Sequence, residues 1–295
     1  MSRHIEYLDE SPYAAEVLSR AKITLTDLDG TLLGLGGSAL IDAKGAPALT
    51  TVQAIVEVNK AGLDVVVCTG RNRIQAGEVS RLLGWSSFIA ELGCVVKYGR
   101  GEAVEYLLGD WPEGVLLPDE TPYKAITRYG GLRVLTEAFP GKIEEHDPWH
   151  TDREITHVLR GHIDCTAAQE RLDTLDVPIA IIDNGIVNPP KHTLVDVDEV
   201  HAYHLVPKGT SKELGIRSLL ERRGLTTEDA IAIGDSATDV EMMNAAALGI
   251  LVNNALADPR VVAATESLEH VVATRGERGD GWAEFAHAWL TARGT

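Results

Sequence analysis

Ile23-Thr24-Leu25-Thr26-Asp27-Leu28-Asp29-Gly30-Thr31-Leu32-Leu33 decides how this chain is read. The stretch opens as a short apolar, β-branched segment suited to a buried strand. It ends in two carboxylates one residue apart, with Gly and Thr directly behind them. The first aspartate then sits at the carboxyl end of the strand and the second just past it, on a turning chain. In that arrangement one carboxylate can attack and the other can shuttle a proton. A solvated Asp-rich turn would look the same locally, so other segments must decide.

Three do. Leu63-Asp64-Val65-Val66-Val67-Cys68-Thr69-Gly70-Arg71 is a continuous apolar run, as expected of a strand buried on both faces, that ends in a hydroxyl, a glycine and a cation. Thr69 and the backbone amides beside Gly70 can bind phosphate oxygens. In Val206-Pro207-Lys208-Gly209-Thr210-Ser211-Lys212-Glu213-Leu214, Ser211 reads as an N-cap and Lys212 falls in the first helical turn. A cation there opposes the helix dipole, so either solvent or an anionic partner must accommodate it. Ala230-Ile231-Ala232-Ile233-Gly234-Asp235-Ser236-Ala237-Thr238-Asp239-Val240 is another apolar strand ending in Gly-Asp, with a second carboxylate four residues on. Asp235 and Asp239 suit a hard divalent cation.

At these four places the chain resembles the haloacid dehalogenase superfamily of phosphohydrolases. Its ordered motifs are D-x-D-x-T, a strand ending in Thr or Ser, a Lys, and a G-D-x-x-x-D acidic pair. The resemblance covers about residues 20 to 95 and 204 to 260. It implies Asp27 as nucleophile and Asp29 as general acid and base, with Thr69, Gly70 and Lys212 binding the phosphoryl group. Asp27, Asp29, Asp235 and Asp239 would hold Mg2+. Lys208 is the rival for the lysine role; Lys212 is favoured because it sits at a helix start, whereas Lys208 follows Pro207 in a loop. Two positions depart from the family pattern: Thr238 stands where Asn is usual, and Glu91-Leu92-Gly93 replaces the E-N-G of sugar-phosphatase branches.

The chemistry also follows from the residues. An attacking carboxylate and a phosphate dianion repel each other unless positive charge stands between them, which magnesium and Lys212 would supply. Asp27 would form an aspartyl phosphate, and water would then attack it.

Composition narrows the setting. The 295 residues suit two domains, and 44% hydrophobic content supports real cores. A net charge of -17 argues against nucleic acid or an anionic membrane as partner. No apolar run is long enough to span a bilayer, and Met1-Ser2-Arg3-His4-Ile5-Glu6 lacks a leader's apolar stretch, so a cytoplasmic enzyme is expected. Cys68, Cys94 and Cys165 are widely spaced and support neither a disulfide framework nor a zinc cluster.

Helical and strand patterns alternate in the order of an α/β fold, a Rossmann-like parallel sheet core. A helix is expected from Thr50, with an apolar stripe through Val52, Ile55 and Val56 and a stop at Gly62. The C-terminal helix shows a core-facing stripe of Trp282, Phe285, Trp289 and Leu290. The segment between the second and third motifs is too long for a loop and reads as an inserted α+β cap. The expected organisation is core 1–95, cap 96–203 and core 204–295. A large cap at this point resembles the Cof-type, sucrose-phosphate, trehalose-phosphate and mannosyl-phosphoglycerate phosphatase branches, in which it selects substrate.

Seven histidines cluster in or beside this cap: His146, His150, His157, His162, His192, His201 and His204. None forms His-x-x-x-His on a convincing helix, so structural roles are favoured over ligation. Arg71, His157 and Arg160 are candidate substrate contacts. The leading function is a magnesium-dependent hydrolase of a small phosphorylated metabolite, such as a sugar or polyol phosphate. The alternatives are a phosphotransferase or mutase on the same scaffold, and a non-catalytic phosphate-binding module.

Overall fold

The computed structural model describes residues 5–187 and 191–294. Met1-Ser2-Arg3-His4, on which part of the leader reading rests, lies outside the described residues. In chain order the strands are β1 Ile23–Thr26, β2 Asp64–Cys68, β3 Phe88–Ala90, β4 Val95–Lys97, β5 Val104–Tyr106 and β6 Ile143–Glu145. They continue as β7 His157–Gly161, β8 Ile179–Ile186, β9 His201–Pro207, β10 Ala230–Gly234, β11 Leu248–Leu251 and β12 Val271–Ala273. One sheet has the order β12-β11-β10-β1-β2-β3-β4-β5 and a second the order β6-β7-β9-β8.

In the larger sheet the pairings from β12 through β3 are parallel, and β4 turns back antiparallel on β3. β1, β2, β10 and β11 are almost wholly buried, as the continuous Val/Ile/Leu runs require of parallel strands covered on both faces. The covering helices include Thr50–Ala61, Arg73–Leu83, Lys212–Arg222, Ala237–Met243 and Arg278–Arg293.

The helix over Thr50–Ala61 ends as expected at Gly62, whose φ of 80° places it in the left-handed region. Its buried face, however, is Thr51, Ala54, Ile55 and Val58, and Val56 is exposed. Ile55 faces the core as expected, and Val58 with the smaller Thr51 and Ala54 completes the stripe in place of Val56. The last helix buries Trp282, Phe285 and Trp289. Trp282 Nε1 also donates to Thr26 Oγ1 at 3.1 Å, one residue before Asp27. Burial of each such side chain contributes about 1.5–3 kcal/mol, so this helix braces the strand that carries the first motif.

The chain divides into two compact units. The first comprises the residues up to Gly70, Gln75–Val104 and those from Ser211 on; the second comprises Arg71–Ile74 and Glu105–Thr210. The insertion therefore begins and ends later than residues 96 and 203. β4 belongs to the first unit because it pairs with β3, and β9 to the second because it runs between β7 and β8. Strand pairing, which links residues far apart in sequence, sets both boundaries.

The second unit is an antiparallel sheet backed by helices Pro122–Arg128, Gly131–Ala138 and Cys165–Leu172. Its core gathers Ile126, Leu135, Leu159, Leu172, Ile179 and Tyr203. Trp111 closes one side of that core, its Nε1 donating to the Pro178 carbonyl at 2.7 Å.

Candidate active site

Three strand ends and one helix start place the motif residues, all in the first unit. Asp27 extends β1 by one residue, its amide donating to the Ile233 carbonyl at 3.0 Å. Thr69 follows β2, and Asp235 follows β10. All three lie at carboxyl ends of neighbouring parallel strands, where open α/β sheets bind ligands.

Ser211 caps the helix Lys212–Arg222, its Oγ accepting from Leu214 N at 3.1 Å. Lys212 at the first helical position is buried. Its ammonium donates to Asp27 Oδ1 at 2.8 Å and to Asp239 Oδ1 at 2.6 Å. Two carboxylates thus supply the anionic partners that a cation at a helix N-terminus needs. Lys208 sits in the second unit, half exposed and paired with Asp173 at 3.2 Å.

Asp239 is completely buried and turned inward. Its Oδ2 accepts from Asp235 N at 3.0 Å, Ser236 N at 2.8 Å and Ser236 Oγ at 2.7 Å. It therefore holds the acidic loop in shape while its other oxygen meets Lys212. Asp235 is held separately, accepting from Thr31 Oγ1 at 2.8 Å and from Asn254 Nδ2 at 3.0 Å. Asn254 also donates to the Gly30 carbonyl at 3.1 Å and accepts from Arg278 N at 2.8 Å. A side chain at Gly30 would place its Cβ 2.3 Å from Asp235 Oδ2, so the glycine of the opening stretch leaves room for the acidic motif.

Asp27, Asp235 and Asp239 each offer an oxygen, and these atoms lie within 4.8 Å of one another. Asp29, expected as a fourth ligand, is exposed and lies outside that group of three, though its charge still acts on Asp235. Burial, with Asp239 and Asp235 adding repulsion, pushes Asp27 well above the usual carboxylate range against the pull of Lys212. Burial and then Asp239 push Asp235 up to about 7. Burial also works against the charge of Lys212, but Asp239 and Asp27 outweigh it and hold its pKa well above the ordinary lysine value. Three carboxylates facing one ammonium leave an excess of negative charge. The all-oxygen donor set and that excess fit a hard divalent cation such as Mg2+.

Arg71 is half-buried and packs with the second unit. His157 is buried, its Nε2 within hydrogen-bond reach of the Tyr123 carbonyl at 2.8 Å and Thr127 Oγ1 at 3.2 Å. Arg160 is also buried, donating to Glu144 Oε1 at 2.6 Å and to the Asp147 carbonyl at 3.1 Å. Both side chains therefore commit polar groups inside the second unit, at odds with a substrate-contacting role. Strand alternation alone could not foresee this, because both faces of β7 are covered.

The two departures from the family pattern have local explanations. Leu92 is buried with φ at 56°, so the position turns its side chain into the core. Thr238 Oγ1 pairs with Ser236 Oγ at 2.9 Å within the acidic loop. Sequence reasoning overlooked Thr31, Asn254 and Gly93. Thr31 stood in the first motif. Asn254 lies just past β11, at another strand end. Gly93, with φ at 98°, lets its loop approach the helix start so closely that a Cβ there would lie 1.9 Å from the Ser211 carbonyl oxygen.

The fold and this arrangement of side chains define a family. The chain belongs to the haloacid dehalogenase-like hydrolases, whose sequence profile matches residues 24–107 and 188–274, more than half of its length. It is similar to a phosphoglycolate phosphatase of Methanopyrus kandleri, with 27% identity covering 91% of this chain and 97% of that protein. A phosphoglycolate phosphatase of Methanothrix thermoacetophila is 29% identical, covering 88% of this chain and 92% of its own. Among solved structures, one from Thermoplasma acidophilum superposes with a TM-score of 0.61 at 16% identity, covering 92% of this chain and 99% of that one. The sucrose-phosphatase of Synechocystis superposes with a TM-score of 0.58 at 13% identity, covering 91% and 98%. These structures share the α/β core fold and its inserted antiparallel sheet. Among the described residues, no helix is long and apolar enough to cross a membrane.

Proposed function

We propose that the protein is a magnesium-dependent phosphomonoester hydrolase acting on a small phosphorylated metabolite in the cytoplasm. The observation that carries this reading is the buried carboxylate of Asp27 at the end of β1, 2.8 Å from the ammonium of Lys212. Family membership and the name of the sequence relatives support the reaction class. That name also places phosphoglycolate beside sugar and polyol phosphates as a substrate to test. The cysteines are thiols, which suits a reducing compartment.

Asp27 and Asp235 would hold the magnesium ion, with Asp239 as the third carboxylate of the group. Asp239 shapes the acidic loop and anchors Lys212, since its oxygens are already engaged by the ammonium, two amides and a hydroxyl. When bound, the ion supplies positive charge that lets a carboxylate and a phosphate approach each other.

An Asp27 oxygen attacks phosphorus and the bond from phosphorus to the ester oxygen breaks, leaving an aspartyl phosphate. The departing oxygen takes a proton from the carboxyl group of Asp29, whose exposed position past the strand end suits exchange with solvent. Water then attacks phosphorus, giving its proton to Asp29, and Asp27 is released with inorganic phosphate. Lys212 neutralises charge on the phosphoryl oxygens, and Thr69 with the amide of Gly70 binds them. The second unit, as an inserted cap, selects the leaving group.

Phosphate release from phosphoglycolate and a panel of sugar phosphates tests this, with magnesium, with chelator, and with Asp27→Asn as blank. Chelator-sensitive release absent from the variant supports hydrolysis. Transfer of phosphate to an added sugar acceptor, with no release to water, would replace it with a transferase.

A further inference from the structure

Besides the acidic cluster, one other group among the described residues has converging metal donors: His162, Glu199 and His201, in the second unit. Each offers one donor atom, and the three atoms lie within 4.8 Å of one another. Topology brings them together. His162 directly follows β7, His201 opens β9, and the antiparallel register pairs Gly161 with His201. The two imidazole rings stack at 5.4 Å between centroids. His201 Nε2 lies 2.9 Å from Glu199 Oε1, while its Nδ1 faces the two oxygens of Asp183 at 2.8 and 3.0 Å.

We propose that His162, Glu199 and His201 form a binding site for a zinc-class transition-metal ion, separate from the acidic cluster. Two imidazole nitrogens and one carboxylate oxygen are a common three-ligand zinc set, with a fourth position left for water. Asp183 sits on the far nitrogen of His201, as a carboxylate does in carboxylate–histidine–zinc arrangements, where it fixes the ring and raises its basicity. Imidazole donors select against magnesium, which prefers oxygen ligands in octahedral geometry, so the two sites take different ions.

His162 and Glu199 are exposed, so an ion can reach the group from solvent; His162 also borders an open surface depression of about 530 Å³ that Asp164 and Asp196 line with it. Lys142 also lines it, but its ammonium is tied to the carbonyls of Val195 and Asp196 at 2.9 and 2.7 Å. Metal entry displaces the proton between His201 Nε2 and Glu199 to solvent. The ion would then join the residue after β7 to the start of β9, stabilising the second unit by mass action.

The test uses full-length protein stripped with chelator and dialysed against Zn2+ in a large excess of Mg2+, which occupies the acidic cluster. Bound zinc and the thermal midpoint are measured for the wild type, His162→Ala and Glu199→Gln. The expected result is one more zinc in the wild type than in either variant, with at least tenfold weaker zinc binding in each. The zinc-dependent rise in midpoint should be confined to the wild type. Magnesium-supported phosphate release should be unchanged by either substitution. Equal zinc content and equal midpoint shifts in all three proteins would overturn the proposal, leaving the group as a hydrogen-bonded clasp. Should His162→Ala not fold, Glu199→Gln carries the comparison, since Glu199 is half exposed and keeps its shape in the amide.

Discussion

Lys212 reaches Asp27 across 185 residues of chain, its Nζ 2.8 Å from Asp27 Oδ1 in a buried pocket that also holds Asp239. Nothing local to either residue requires the contact. A helix cap at Ser211 and a strand end at Asp27 aim the two side chains at one point. Lys212→Met should therefore lower kcat by about 100- to 1,000-fold, the scale for losing one preorganised charge at a reacting centre. Lys208→Ala should change kcat less than about twofold, since an exposed pair with Asp173 contributes little. Steady-state phosphate release on both variants checks the contrast, and a reversed order of effects would exchange the two roles.

Asp27→Asn should remove turnover without unfolding the protein. Burial already disfavours the ionised form of Asp27, so a neutral isostere relieves repulsion with Asp235 and Asp239. The expected thermal midpoint equals or exceeds that of the wild type. A lower midpoint would mean that the Lys212 contact outweighs the repulsion.

Asn254→Ala should raise the magnesium concentration needed for half-maximal activity by about tenfold, the low end for residues that orient metal ligands. Asn254 holds Asp235 Oδ2 at 3.0 Å, and its other hydrogen bonds go to the backbone of Gly30 and Arg278. A magnesium titration of activity reads this directly. A change in the maximal rate alone would point to a different role.

Gly93→Ala should disturb the site from a distance. The new methyl meets the Ser211 backbone and the residue lies in the left-handed region, so the helix start carrying Lys212 must shift. Strain of this kind costs about 1–3 kcal/mol, and misplacement of a catalytic group by about 1 Å costs about 100-fold in rate. Thermal unfolding and kcat measured on one preparation separate the two effects.

The second unit should be acid-sensitive. Burial lowers the pKa of His157 to about 4, from an ordinary value of 6.5. Because the folded form binds the proton less readily than the unfolded one, its full stability is present above about pH 6.5 and is lost as pH falls towards 4. The effect amounts to about 3 kcal/mol at most. His157→Gln keeps a hydrogen bond to the Tyr123 carbonyl but cannot titrate. It should flatten the stability profile between pH 6.5 and 4, measured by denaturant unfolding, and an unchanged slope would reject His157 as its source.

Much of the core was legible because its signals are local. Val65-Val66-Val67 and Ile231-Ala232-Ile233 are apolar without alternation, which suits only strands covered on both faces, and each ends in the polar residue that marks its strand end. Ser211 announced a helix start by its capping chemistry. In the helix over Thr50–Ala61 the expected Ile55 is buried, but the rest of its contact face is Thr51, Ala54 and Val58 rather than Val56. Leu92, where the family pattern has Asn, is buried, and its left-handed backbone turns it inward.

The sequence by itself determined the parallel α/β core, the order of its motifs and the residue types at each strand end, since these follow from hydrophobic runs, caps and turns within a few residues. Only the tertiary structure decided that Lys212 and not Lys208 meets Asp27, that Asn254 and Thr31 hold Asp235, and that β9 belongs to the inserted unit. It alone brought His162 beside His201. The reason is physical: those contacts arise from strand pairing and packing between residues tens to hundreds of positions apart, and no periodicity or spacing along the chain encodes which distant side chains will share a point in space.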